Sequence, residues 1–242
     1  MKLICIYKEP IKGDGRLFPR DIRNYLASIT KEDTEAHNAI MNHNNRQAEI
    51  IFSMPNRKSF AIFSYVGGNG SKRVFETIEK RIKENPNIRI GNVSIQADKV
   101  FHTDFKFTRF ECGMYERLLK TPLIIAKTKE ELEECIAHTK GGNVDKKWLE
   151  DYTAKKIKEL IRVMARDWFG NEALFDEELE NTIIAYKDLK YSPVRYKKGG
   201  VIFPAVKGTI ISNRFLPNFI GYKCGMGFGE LASLKEMERR SR

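Results

Sequence analysis

The sequence predicts an α+β fold built from short apolar strands and amphipathic helices. Three observations carry that expectation. The apolar runs of the first half are short, rich in Ile, Phe and Val, and closed by Pro, Gly or Asn, as strands are. Two charged stretches repeat apolar residues at helical spacing. The order along the first half reads strand, helix, strand, strand, helix, strand, which is the order of a split βαββαβ, or ferredoxin-like, unit.

Each element has its own signal. "KLICIY" at 2–7 is a strand, and "EPIKGDG" at 9–15 breaks it. "RDIRNYLASI" at 20–29 places Ile22, Leu26 and Ile29 on one helical face. "TEAHNAIM" at 34–41 fits a short helix, with "NHNN" at 42–45 as its frayed exit or a loop, because Asn side chains compete for backbone hydrogen bonds. "AEIIFSM" at 48–54 and "SFAIFSYV" at 59–66 read as two strands around a "PNRK" turn. "KRVFETIEKRIKEN" at 72–85 sets Val74, Phe75, Ile78 and Ile82 on a helical face. Residues 88–107 read as further strands. The unit ends between 90 and 120, so the expected domains are 1–120 and 121–242.

The second half opens with the apolar "PLIIA" at 122–126. In "KKWLEDYTAKKIKELIRVMARDWFG", at 146–170, Leu149, Tyr152, Ile157, Leu160, Ile161, Met164 and Trp168 share a helix face, and Gly170 is the stop. Residues 189–213 read as strands with a Gly-Gly turn, "RFLPNFIGY" as a short helical or turn segment, and "GELASLKEM" as a last strand.

Composition narrows the function classes. An apolar fraction of 41% with 31% charged residues is globular, and 242 residues suffice for one large core or two small ones. A net charge of +11 favours an anionic partner, nucleic acid first and a membrane surface second. Cys5, Cys112, Cys135 and Cys224 form no C-x-x-C pair or staple framework, which fits reduced thiols in the cytoplasm. The apolar run at the start is too short for a signal peptide or a membrane span.

Two stretches suit RNA. "GYKCGMGFGE" at 221–230 holds Gly221, Gly225, Gly227 and Gly229 around Lys223, with Lys207 and Arg214 upstream. Successive amides in such a loop can cradle a phosphate, although a tight structural turn needs the same glycines. Its spacing is neither a dinucleotide fingerprint nor a P-loop. In "YKDLKYSPVRYKK" at 186–198, Tyr191 and Tyr196 can stack on bases while Arg195, Lys197 and Lys198 meet phosphates. A solvated hairpin with packed tyrosines is the competing reading.

The end of the chain, "AVKGTIISNRFLPNFIGYKCGMGFGELASL", resembles the CRISPR repeat-processing endoribonucleases of the RAMP superfamily. Lys207-Gly208 and Gly227-Phe228-Gly229 stand where that family has a Lys-Gly strand and a closing Gly-Phe-Gly loop. "NHNNRQAEIIFSMPNRKSFAIFSYVGG" at 42–68 is similar to a His-rich segment leading into two strands in one branch, but lacks its basic-aromatic strand. The resemblance implies tandem ferredoxin-like (RRM-like) domains with a C-terminal glycine-rich loop. It also implies binding of precursor CRISPR RNA and one metal-free cut per repeat, with no cofactor. In that cut a 2′-hydroxyl attacks the adjacent phosphate and leaves a 2′,3′-cyclic phosphate and a 5′-hydroxyl. Repeat RNA is then the partner, and the product stays bound or passes to the other subunits of an effector complex. Relatives that bind guide RNA without cutting share the glycine loop, so an inactive RAMP subunit is one alternative. A structural nucleic-acid-binding protein of a mobile element is another.

Such a cut needs a base, a charge-stabilising donor and an acid. Histidine suits the proton transfers, and the chain has four: His37, His43, His102 and His138. His43, in its polar Asn setting where the family often keeps its histidine, is the first candidate and His37 the second. His102 reads as an ordinary strand or loop histidine and His138 as exposed. Arg46, Lys207 and Lys223 are candidates to steady the phosphate, and Tyr7 or Tyr25 to donate a proton. No metal-ligand cluster is visible.

Overall fold

The computed structural model describes residues 1–13, 15–41, 49–64, 69–104, 110–139, 143–195, 200 and 202–233. Two compact units divide the chain. The first is Met1–Phe107 with Gly225–Gly227, and the second is Thr108–Cys224 with Phe228–Arg242.

In the first unit, strand β1 (Lys2–Tyr7) leads to helices α1 (Pro19–Ile29) and α2 (Thr34–Met41), then to strands β2 (Ile51–Phe52) and β3 (Ser59–Phe63). Helix α3 (Asn69–Glu84) and the hairpin β4 (Asn87–Ile90) and β5 (Val93–Thr103) follow. The sheet order is β2-β3-β1-β5-β4, all antiparallel. With β5 in the place of the fourth strand, this is the ferredoxin-like arrangement, and β4 extends its edge. Alternation along β1 points Leu3, Cys5 and Tyr7 into the core. They pack in one cluster with Phe60 and Ile62 of β3, Ile22 and Leu26 of α1, and Phe75, Ile78 and Ile82 of α3. The helical face expected in 72–85 is therefore the buried one.

The second unit repeats the plan with different parts. Its strands are β6 (Cys112–Leu119), β7 (Leu123–Ile124), β8 (Ile184–Tyr191), β9 (Val194–Arg195), β10 (Ile202–Phe203), β11 (Ala205–Arg214) and β12 (Leu231–Ser233). Its helices are α4 (Lys129–Thr139), α5 (Lys146–Phe169) and the short α6 (Asp176–Glu180). β11 lies between β8 and β6, β12 flanks β6, and all these pairs are antiparallel. Read as β6, α5, β8, β11 and β12, the order 12-6-11-8 is again ferredoxin-like. The helix expected between the last two strands is absent. Residues 215–230 make that connection with a single 3-10 turn, Cys224–Met226. The expected boundary at 120 would give β6 to the first domain, but β6 is hydrogen-bonded to β11 and β12.

Helix α5 forms as its apolar spacing requires. Leu149, Tyr152, Ile157, Leu160, Ile161, Met164 and Trp168 are all buried. Asp145 caps it, accepting from the Trp148 amide at 3.0 Å, and Gly170 ends it in the left-handed region at φ 70°. Lys156 is a charged residue on this buried face. Its ammonium donates to Glu131 at 2.8 Å and to Glu159 at 2.6 Å. Burial alone would raise the Glu131 carboxyl, but Lys156 and the Thr128 and Lys127 amides outweigh it and hold the group below its ordinary value. A depressed carboxyl contributes stability that is complete above its unfolded pKa and disappears as pH falls through the folded one. Unfolding curves at successively lower pH are therefore expected to show an acid-side loss that Lys156→Met reduces, while the variant is about 3 kcal/mol less stable at neutral pH.

All four cysteines are free thiols, and only Cys112 is exposed. Among the described residues, no helix is long and apolar enough to cross a membrane.

Candidate nucleic-acid interface and catalytic histidine

Helix α2 carries His37 and is fixed at both ends. Asp33 accepts from the Ala36 amide at 2.9 Å at its start. At its finish, the buried guanidinium of Arg23 donates to the Ile40 and Met41 carbonyls, at 3.2 and 3.3 Å. The same guanidinium reaches the Met226 sulfur at 2.9 Å. Orphan carbonyls at a helix end need such partners when buried. Arg23 was not visible as a site residue in the sequence, although its place on the face of Pro19, Leu26 and Ala27, all buried, was a signal.

The His37 ring lies half-buried with Nδ1 3.0 Å from the Ala27 carbonyl. A carbonyl only accepts, so Nδ1 carries the proton and the neutral ring keeps its lone pair on Nε2. Nε2 has no partner among the described residues. A ring held in this tautomer can accept a proton at Nε2. His43 and Arg46 lie outside the described residues, as does Lys197. His102 is engaged in a hydrogen bond, with Nδ1 2.5 Å from Glu79 Oε2. His138 is exposed and stacks on Trp148 with centroids 4.4 Å apart. Among the described residues no three His, Cys, Asp or Glu side chains gather as a metal-ligand set.

Tyr7 sits in the core, 5% exposed, and its hydroxyl has no hydrogen-bond partner among the described residues. Burial, with the nearby Cys5 adding to it, pushes the phenol upward. At that depth it is out of reach of a polymer substrate, so its place argues for packing against Phe60 rather than proton donation.

The glycine-rich loop is shaped by sterics. Gly221, Gly225, Gly227 and Gly229 are all buried. A Cβ on Gly227 would stand 2.2 Å from Pro19 Cγ at the start of α1. The Gly229 amide is already spent on the Pro122 carbonyl at 3.0 Å. Lys223 is half-exposed and takes a left-handed conformation at φ 63°, uncommon for a residue with a side chain. Arg214 is half-buried and donates to the Phe110 carbonyl at 3.3 Å, which ties the end of β11 to the start of β6.

The exposed cations lie on the sheet instead. Lys207 on β11 is directly opposite Lys190 on β8, and both are exposed. Cross-strand partners share a face, and like charges there repel. Lys187 lies three residues from Lys190 along β8, past a register shift, opposite Thr209, and is also exposed. Arg195 is exposed on the β9–β10 hairpin. Tyr191 is half-buried opposite Val206, and its phenol is raised chiefly by burial, which fits the packed reading better than an open stacking platform. Lys190 was the sheet residue missed in the sequence; its partner lies far along the chain, so only the strand register brings them together.

No family model matches the chain, and no curated protein matches it. Solved structures do match it along almost its whole length. A Cas6b crystal structure is 19% identical with a TM-score of 0.64, covering 97% of this chain and 100% of that one. A CRISPR RNA processing endoribonuclease Cas6b is 16% identical with a TM-score of 0.53, over 97% and 100%. A Cas6 product complex is 12% identical with a TM-score of 0.61, over 96% and 99%. The chain has the Cas6 fold. That agrees with the tandem ferredoxin-like expectation, and at these identities it is a statement about the fold.

Proposed function

We propose that this protein is a metal-independent endoribonuclease that cuts precursor CRISPR RNA within its repeats. The observation that carries the reading is the fixed tautomer of His37, on a fold shared end to end with Cas6 structures. His37 Nε2 takes the 2′-hydroxyl proton. The 2′-oxygen bonds to the adjacent phosphorus, the P–O5′ bond breaks, and the 5′-oxygen leaves with a proton. The products are a 2′,3′-cyclic phosphate and a 5′-hydroxyl. His43 is the alternative base or the acid, and Arg46, Lys223 or Lys207 balances the charge of the phosphorane.

The Lys190–Lys207 pair is the proposed backbone contact, because a phosphate between two opposed lysines turns their repulsion into attraction. Replacing both with glutamine is expected to weaken RNA binding and to lower the log–log salt slope by roughly 1.4 to 1.8, at about 0.7 to 0.9 per contact. Binding isotherms across a salt series measure it, and an unchanged slope removes this face from the interface.

The activity is tested with 5′-labelled repeat RNA in EDTA, alongside the same RNA with a 2′-deoxy substitution at the mapped cut. One sharp product, lost with the deoxy substrate, is expected. Tight binding without a cut supports the guide-RNA-binding subunit instead.

A further inference from the structure

A concave site in the first unit, outside the residues considered so far, has the chemistry of a nucleotide pocket. It lies between the chain that follows β1 and the turn that joins β2 to β3, with a volume of about 330 Å³. Gly15, Arg16, Leu17 and Phe18 form one wall and Met54 to Arg57 the other. The walls are fastened together. The Ile11 amide donates to the Arg57 carbonyl at 2.8 Å, and the Arg57 guanidinium returns to the Gly13 carbonyl at 3.4 Å. The Asn56 side chain accepts from the Lys58 and Ser59 amides at 2.7 and 2.8 Å, which holds the turn.

Phe18 is the unusual member. It is 50% exposed, although it immediately precedes a helix whose next residue, Pro19, is buried. A large aromatic half in water finds no core to bury in, yet its backbone is fixed: the Phe18 amide donates to Asp21 Oδ2 at 2.9 Å. The two charged residues lining the pocket, Arg16 and Arg57, are both cations and both exposed. Neither makes an ion pair among the described residues. Leu17, Met54 and Pro55 make part of its lining apolar.

We propose that this pocket receives one unpaired nucleotide of a single-stranded RNA, its base stacked on Phe18 and its phosphates met by Arg16 and Arg57. Base stacking on an aromatic tolerates any base, and arginine suits phosphate through its planar fork. An open aromatic beside apolar lining favours a single strand over a duplex, whose bases are already stacked. The inference rests on the RNA-binding reading above.

The test uses the full chain and a short single-stranded RNA carrying 2-aminopurine at successive positions. Wild type is expected to quench one position strongly. Phe18→Ala is expected to lose the quench and about tenfold in affinity, and Phe18→Trp to restore both. Arg16→Gln with Arg57→Gln should lower the salt slope by about 1.4, at roughly 0.7 per cation on a single strand. All three side chains changed are exposed, so circular dichroism and melting should stay at wild type. Unchanged quench and affinity in Phe18→Ala, with wild type binding well, overturns the pocket alone. Wild type that binds no RNA overturns the underlying reading and the pocket with it. Equal weakening toward fully double-stranded RNA makes the patch a general polyanion contact and overturns the stacking role.

Discussion

Substituting His37 by alanine is expected to slow RNA cleavage by about 10² to 10⁴-fold while leaving RNA affinity unchanged. The ring's Nδ1 is committed to Ala27, so the single lone pair available for proton transfer is on Nε2. Removing it deletes the base and little else. Helix α2 keeps its Asp33 cap and its Arg23 clamp, while the carbonyl of the buried Ala27 loses the ring as its partner. Stability should therefore fall by about 1 to 3 kcal/mol, the cost of a buried acceptor left without its donor. His37→Asn separates two roles, because its amide can still donate to Ala27 but cannot accept the proton. It should be as inactive as the alanine variant. If it recovers most of the rate, His37 positions α2 and another group is the base. Full activity in His37→Ala with loss in His43→Ala transfers the role to His43. Single-turnover rates at saturating enzyme are the right measurement, since they exclude product release.

The elements that were legible in the sequence are those whose signal is local. Helix α5 shows this: its apolar positions recur with the turn of the helix, and Gly170 ends it at the expected residue in the expected conformation. Strand β6 was not read, because Gly113, Glu116 and Arg117 break its apolar alternation. Its strandness comes from β11 and β12, which are distant in sequence. Arg117 makes the same point energetically. It is 4% exposed and donates to the Leu216 and Leu231 carbonyls and the Asn218 side chain, at 2.7, 2.9 and 2.6 Å. A buried arginine is invisible to periodicity because its partners, two backbone oxygens and one amide side chain, come from the other end of the unit. The glycines of 221–229 were conspicuous, but two physical causes give the same composition. The anion cradle needs free amides, whereas the structure shows buried glycines pressed against carbonyls and side chains.

That steric cause makes Gly229→Ala the substitution with the largest expected effect on stability. Gly229 has φ 70°, and a Cβ there would fall 1.7 Å from the Ile220 carbonyl oxygen and 2.8 Å from its carbon. Both are backbone atoms, so no side chain can rotate away. The same two residues are joined by a hydrogen bond, Ile220 amide to Gly229 carbonyl at 3.0 Å. Phe219 bridges Glu230 beside it, and the Leu231 amide donates to Asn218 at 2.7 Å. Relieving the clash means opening this ladder, which seats β12 against β6. Gly170 supplies the control, since it has the same φ of 70° and nothing within 4 Å of its would-be Cβ. Gly170→Ala should cost only the left-handed conformation, about 1 to 2 kcal/mol. Gly229→Ala carries that cost plus the lost contacts and is expected to exceed 4 kcal/mol, enough to unfold a marginal unit. Urea unfolding of the two variants gives the difference directly. Equal losses would mean that the loop yields to the methyl at no cost, and packing would then not be the reason for glycine at 229.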